Sequence, residues 1–128
     1  MTSRGNPALM RGTLVRTMRE YMGLTRNDLA GALGVSFDSV RSWEGDRRGT
    51  PPGVIAQMQQ MLGELDEDAA QQLEHYLALD EGEAVFTITD GRGPGEKPAG
   101  WQRHIAARIA QHRADLIIRE ESGQEPRP

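Results

Sequence analysis

The sequence predicts a mainly α-helical chain in which N-terminal helices are followed by a small α+β region. Apolar residues recur at helical spacing through the first 80 residues. After Glu83 the period changes, and "AVFTITD" has the β-branched and aromatic composition of a strand. A length of 128 residues suits one domain, or a small domain with an appended module. We therefore expect two parts, residues 1–62 and residues 63–128.

The first predicted helix is an amphipathic segment near the N-terminus. Met10, Leu14, Met18 and Tyr21 recur at spacings of 4, 4 and 3, which is the period of one helix face. Gly23 then supplies a stop.

Two short helices with capping signals follow. "TRND" is similar to a capping box, because the Thr25 hydroxyl can accept from a free backbone N–H and Asp28 favours the positive end of the helix dipole. Gly34 can adopt the positive φ that ends this helix. Ser36 can cap a third helix that runs to about Glu44. The connection between the two helices is therefore only three residues long.

The residue types in this pair predict two helices that cross at a fixed angle. Counting from Arg26, the fifth position is the small Ala30, the ninth is Gly34 and the fifteenth is Val40. Ala30 permits close approach, and Val40 with Trp43 fills the angle between the helices. The start of the third helix is then exposed and fits a DNA major groove, which is ~12 Å wide. A helical hairpin without a DNA role is the alternative.

Charge is distributed unequally along the chain. Residues 1–53 hold eight arginines and five acidic residues, whereas the remainder holds seven basic and fourteen acidic residues. This asymmetry favours a polyanion-binding N-terminal domain and an acidic partner region. The alternative is ordinary scatter of surface charge.

Several function classes lack their sequence signals. Without cysteine there is no disulfide, thiolate metal site or cysteine nucleophile, and the three histidines have no ligand spacing. "GRGPG" lacks the Lys-Ser/Thr of a phosphate loop. No signal peptide and no apolar run of ~20 residues is apparent. We expect a soluble cytoplasmic protein that is not an enzyme and has no metal or cofactor.

The stretch "LTRNDLAGALGVSFDSVRSWEGDRR" resembles the helix-turn-helix of the Cro/C1 and Xre family of repressors. The resemblance covers about residues 9–62, and "SWEGDRR" is similar to the family's Trp-Glu and basic-loop ending. It implies a four- or five-helix DNA-binding domain that acts as a homodimer on an inverted-repeat operator. The expected function is therefore sequence-specific transcriptional repression.

The whole chain is similar, more loosely, to anti-CRISPR-associated autorepressors and their relatives. The matching pieces are "TPPGVIAQM", "AVFTITD" and "GWQRHIAARIAQHRADLI". This similarity implies a small C-terminal dimerisation domain, a phage or bacterial setting and control of the protein's own operon.

Four residues at the start of the recognition helix match the family's base-reading positions. Arg41 can make a bidentate contact to guanine, Phe37 can pack on a thymine methyl group and Asp38 can accept from a cytosine amino group. The Ser42 hydroxyl can form a hydrogen bond with more than one kind of base. Family members often carry glutamine where Phe37 stands, so the usual adenine contact is not expected. Asp38 has an equal alternative role at the helix dipole.

Phosphate contacts are expected on both sides of that helix. The candidates are Arg26, at the head of the second helix, Ser36, Arg47 and Arg48. Such contacts supply affinity and register but little sequence information. For Arg47 and Arg48 a solvated loop is the alternative.

The C-terminal part begins with an amphipathic stretch over residues 51–80. Thr50 and Pro51 form a helix start, and the pattern fits one long helix or two helices broken near Gly63. Predicted beyond it are a strand near 84–90, a glycine-rich loop, a helix near 100–115, a second short strand in "DLIIRE" and a frayed tail.

This C-terminal part is the predicted dimer interface. Pairing of edge strands across a two-fold axis is expected to bury Phe86 and Ile88. Trp101, Ile105 and Ile109 of the predicted helix complete the interface. An antitoxin or adaptor that binds another protein through this region is the alternative function, and binding of structured RNA by the basic face is a third.

Overall fold

Five helices and two strands are present in residues 10–121, the part of the chain that this computed structural model describes. The predicted tail beyond residue 121 lies outside the described residues. The chain divides into two units, with the boundary between Gly63 and Glu64. The prediction of a mainly α-helical fold with a small α+β part is confirmed. The elements are α1 (Gly12–Tyr21), α2 (Arg26–Leu33), α3 (Phe37–Glu44), α4 (Pro52–Leu77), β1 (Val85–Ile88), α5 (Ala99–Ala110) and β2 (Ile117–Glu120).

The buried face of α1 differs from the predicted one. Val15, Met18 and Met22 are buried, whereas Leu14 and Tyr21 are exposed. Both series fit a helical period and share Met18, so the local period alone does not distinguish between the two faces.

The α2–turn–α3 unit has the predicted capping chemistry. The Asp28 N–H donates to Thr25 Oγ1 at 3.0 Å, and the Thr25 N–H donates to Asp28 Oδ2 at 2.9 Å. Gly34 has a φ of 71°, which a side chain would strain. Ser36 then accepts from the Ser39 N–H at 3.0 Å. These caps fix where both helices begin and where α2 ends.

The interior of the helix pair is formed by the residues that the spacing selects. Leu29, Ala30, Val40 and Trp43 are all buried. They hold α3 against α2 while the first turn of α3 remains outside the core.

The stretch after α3 forms one continuous helix, α4, with Gly63 in its interior. Its start lies one residue later than the predicted start at Pro51. The Thr50 side chain is buried, and its hydroxyl makes no hydrogen bond within the described residues. The Thr50 side chain is therefore a packing residue next to the helix start and does not cap the helix.

The C-terminal unit contains a two-stranded parallel sheet. Val85 is paired with Ile117 and Ile88 with Glu120, and α5 connects the two strands. The predicted strand near 84–90 corresponds to β1, and "DLIIRE" contains β2. The predicted helix near 100–115 is shorter in the structure and ends at Ala110.

The five predicted dimer-interface residues are buried within the chain itself. Phe86, Ile88, Trp101, Ile105 and Ile109 are each at most 5% exposed. They belong to the core of the C-terminal unit and are not exposed for contact with a second copy of the chain. An amphipathic stripe predicts that a face is buried but does not identify what covers it.

Arg113 binds backbone carbonyl oxygens at the C-terminal end of α4 and just after it. Its guanidinium donates to the Tyr76 and Leu79 carbonyl oxygens and pairs with Asp115 at 2.8 Å. The Gly82 N–H also donates to Asp115. Hydrogen bonds from Arg113 and Gly82 lower the pKa of Asp115 from 3.8 to about 2.

No helix among residues 10–121 has both the length and the apolar character needed to cross a bilayer.

Candidate nucleic-acid interface

The exposed face of α3 presents three of the predicted base-reading residues to solvent. Phe37 is 42% exposed although it is a large apolar residue. The side chains of Asp38 and Arg41 are 66% and 54% exposed. A single exposed apolar residue is common on protein surfaces, so the significance of Phe37 comes from its position at the start of α3.

Asp38 and Arg41 form an ion pair one turn apart. Arg41 Nη2 lies 2.9 Å from Asp38 Oδ1. An exposed pair of this kind contributes little to stability. Its geometric effect is larger, because the carboxylate limits the directions in which the planar guanidinium can point. Asp38 also lies in the first turn of α3, where its charge favours the helix dipole.

Ser42 does not belong to this exposed surface, although the sequence placed it among the base-reading residues. It is only 5% exposed and lies on the inward side of α3. Its carbonyl oxygen accepts from the Arg47 N–H at 2.9 Å, and its hydroxyl from Arg47 Nη2 at 3.3 Å. Ser42 therefore anchors the loop after α3.

The predicted phosphate-binding residues are held by short contacts of their own. Arg48 Nη2 donates to Ser39 Oγ at 2.9 Å, and Arg26 Nε donates to Glu44 Oε1 at 3.0 Å. A guanidinium carries five N–H donors, so each keeps donors for a further anion. The Ser36 hydroxyl differs, because it is engaged with Ser39 as the α3 cap.

The structure brings four arginines to one cleft. Arg16 of α1, Arg26, Arg41 and Arg47 line a space of about 320 Å³ together with Glu44 and Gly45. The sequence reasoning assigned no role to Arg16, since its nearness to α3 depends on how α1 packs. Arg41, a predicted base reader, therefore lies in the same cleft as Arg26 and Arg47, which are two of the predicted phosphate contacts.

Glu44 is the carboxylate that holds Arg26 in this cleft, and sequence reasoning did not identify it. Its side chain is 3% exposed and accepts from Arg19 Nε at 2.6 Å and from Arg26 Nε at 3.0 Å. Burial alone would raise the pKa of Glu44, but the hydrogen bonds from Arg19 and Arg26 outweigh burial and lower it. The same contact raises the pKa of Arg19. The available signal was the Trp-Glu pair at the end of α3.

The start of α1 is pressed against the end of α3. The Gly12 N–H donates to Asp46 Oδ1 at 2.9 Å, and Asp46 has a φ of 57°. A Cβ at Gly12 would lie 2.5 Å from the Glu44 carbonyl oxygen. Only glycine permits this approach, which keeps Arg16 beside α3.

Comparison with known proteins agrees with this geometry. Residues 12–73 match a family model described as a helix-turn-helix domain. A search of curated proteins finds no match to this chain. The matched residues include α1, α2 and α3 and most of α4. The domain indicates a DNA-binding regulator, a class that is typically not enzymatic. Resemblance to the Cro/C1 and Xre family and to anti-CRISPR-associated autorepressors stays a prediction.

Proposed function

We propose that the protein is a homodimeric transcriptional repressor that binds an inverted-repeat operator, and that it controls its own operon. The observation that carries DNA reading is the exposed first turn of α3 beside a cleft lined by four arginines. Repression and control of its own operon rest on the resemblance to autorepressors.

In this proposal, Arg41 is the principal base reader. A guanidinium held by Asp38 is prepared for the bidentate contact to guanine O6 and N7. Phe37, one turn earlier, is suited to a thymine methyl group. The preferred half-site then contains a guanine close to a thymine.

Phosphate binding is assigned to the arginines around the reader. Arg26, Arg47 and Arg48 each lie near α3 and retain N–H donors, and Arg16 joins them at the cleft. Their contacts supply the salt-dependent part of the affinity and set the register of α3 on the duplex.

The proposed dimer forms through β2, since the residues first expected at the interface lie in the core. All four residues of β2 are exposed, and Ile117 and Ile118 are each 45% exposed. In a two-stranded sheet β2 has one edge without a strand partner among the described residues. Antiparallel pairing of β2 with β2 of a second copy satisfies that edge and covers Ile118.

Selection from a pool of random duplexes tests DNA reading. We expect the bound fraction to be enriched in an inverted repeat whose half-sites lie ~10 base pairs or a multiple apart. We also expect the same repeat upstream of the protein's own gene. Enrichment of no sequence would contradict the proposal, as would stronger binding to the protein's own transcript than to DNA.

Light scattering after size exclusion tests the dimer. Ile118→Asp should convert a dimer into a monomer, because a charge at an apolar strand edge opposes pairing. Leu14→Asp, at an exposed apolar position of α1, is the matched control and should leave the dimer intact. A monomeric wild type, or copurification with a different protein in place of a second copy, would contradict homodimerisation and favour the adaptor function.

A further inference from the structure

A cleft in the C-terminal unit, lined by residues 64–105, has a composition that DNA binding does not explain. It has a volume of about 590 Å³, within the size range of small-molecule sites. One wall is the last half of α4, and β1, the loop after β1 and α5 form the rest. Its chemistry comes from three aromatic rings, four carboxylates and one ammonium group.

The aromatic wall already holds a cation of the chain itself. Lys97 Nζ lies 4.9 Å from the centroid of the Trp101 ring. The Trp101 Nε1–H donates to Asp68 Oδ2 at 2.7 Å, which fixes the indole plane. Tyr76 packs against Phe86 beside it, with ring centroids 5.6 Å apart. A fixed indole face that carries an alkylammonium group is a site for organic cations.

The carboxylates of the cleft exceed the cations. Glu64, Glu67, Asp68 and Glu96 face a single ammonium group, that of Lys97. Within residues 10–121 no ion pair joins any of these four carboxylates to a basic side chain. Like charges that share a cleft repel one another, so a bound cation would relieve the repulsion.

The carboxylates are spread out and do not converge on one point. Among the described residues no group of three or more acidic, histidine or cysteine side chains is arranged to hold a metal ion. Glu64, Glu67 and Asp68 follow one another along one face of α4 in a row about 6 Å long, which the Gln71 amide extends to about 10 Å. A row of this length fits an elongated cation better than a single ion.

We propose that this cleft binds a small aliphatic di- or polyamine. One ammonium group replaces that of Lys97 over the Trp101 ring, and the remaining ammonium groups lie along the carboxylate row of α4. The contacts are cation–π and charge-assisted hydrogen bonds, with no covalent step. This proposal does not depend on DNA binding, since every lining residue belongs to the C-terminal unit.

Titration of the full-length protein with spermidine, followed by the two tryptophan indole N–H signals in NMR, tests the proposal. The Trp101 signal should shift to saturation while the Trp43 signal stays in place. Magnesium chloride at equal ionic strength and an uncharged diol of similar length should not reproduce the shift. A Trp101 signal that does not move, or that moves equally with magnesium, would overturn the proposal.

Three variants sharpen the test. Glu64→Gln with Glu67→Gln should weaken spermidine binding about tenfold, since two charge contacts are lost. Glu74→Gln, also exposed on α4 but outside the cleft, should leave the affinity unchanged. Lys97→Ala should tighten binding, because it removes the resident competitor. Weaker binding by Lys97→Ala, or equal effects of the Glu74 and double variants, would overturn the proposal.

Discussion

The two candidate sites, one in each unit, use their acidic side chains in opposite ways. In the N-terminal unit Glu44 pairs with Arg19 and Arg26, and Asp38 pairs with Arg41. Of these arginines Arg19 is buried, whereas Arg26 and Arg41 stay exposed enough to offer their remaining N–H donors. In the C-terminal unit Glu64 and other carboxylates line a cleft without basic partners within the described residues. The charge that remains available is therefore positive in one unit and negative in the other.

This difference indicates what each unit can bind. Arginines held in place by buried or neighbouring carboxylates are suited to phosphates and base edges. Carboxylates beside a fixed aromatic ring are suited to organic cations. The net charge of the whole chain, −4, describes neither surface.

The largest expected effect comes from removing the buried carboxylate. Glu44→Ala leaves Arg19 without its partner inside the N-terminal unit, and we expect the free energy of unfolding to fall by about 3 kcal/mol. Chemical denaturation should be followed by the Trp43 and Trp101 signals, which report one unit each. The matched control is Glu74→Ala, at an exposed position of α4. Equal loss in both variants would show that the Arg19–Glu44 pair does not stabilise the unit.

The next effect concerns the approach of α1 to α3. Gly12→Ala forces a Cβ against the Glu44 carbonyl oxygen, and we expect a loss of about 2 kcal/mol. Gly31→Ala is the control, because a Cβ at Gly31 meets nothing within 4 Å and the exposed helical position favours alanine. Thermal unfolding of both variants gives the comparison. A Gly12→Ala protein as stable as the Gly31→Ala protein would refute the close approach.

A smaller effect is expected from a single phosphate contact. Arg47→Ala should weaken binding to specific and random duplexes alike and reduce the salt slope by about 1. Fluorescence anisotropy at several salt concentrations measures both quantities. A loss confined to one base pair of the operator would instead make Arg47 a base reader.

The smallest expected effect is a change in the acid stability of the C-terminal unit. The pKa of Asp115 is lowered from 3.8 to about 2, so its contribution to stability is present above pH 3.8 and is lost as the pH falls towards 2. Asp115→Asn should remove this part of the acid unfolding curve, as read from the Trp101 signal. An unchanged curve would show that the Arg113–Asp115 contact does not stabilise the C-terminal unit.

Local chemistry was enough to predict the helix-turn-helix. The capping box of Thr25 and Asp28, the turn at Gly34 and the cap at Ser36 each depend on residues within a few positions. The structure reproduces all of them. The mainly α-helical class and the position of β1 follow from similar local patterns.

Contacts between distant residues could not be predicted in this way. Arg19 and Glu44 are 25 residues apart, and their pairing depends on how α1 packs. The same is true of the parallel pairing of Val85 with Ile117. For Trp101 and Ile105 the pattern predicted burial correctly but not the covering surface, which belongs to the same chain. Ser42 was misplaced because its position on α3 turns inward.

The central claim is that Arg41, one turn after Phe37, reads a base from the exposed face of α3. Its most direct test is the ratio of affinities for the selected operator and for a random duplex, measured for the wild type and Arg41→Ala. We predict that the variant loses about 1–3 kcal/mol of preference for the guanine opposite Arg41 while random-duplex binding falls much less. An unchanged ratio in Arg41→Ala would contradict the claim.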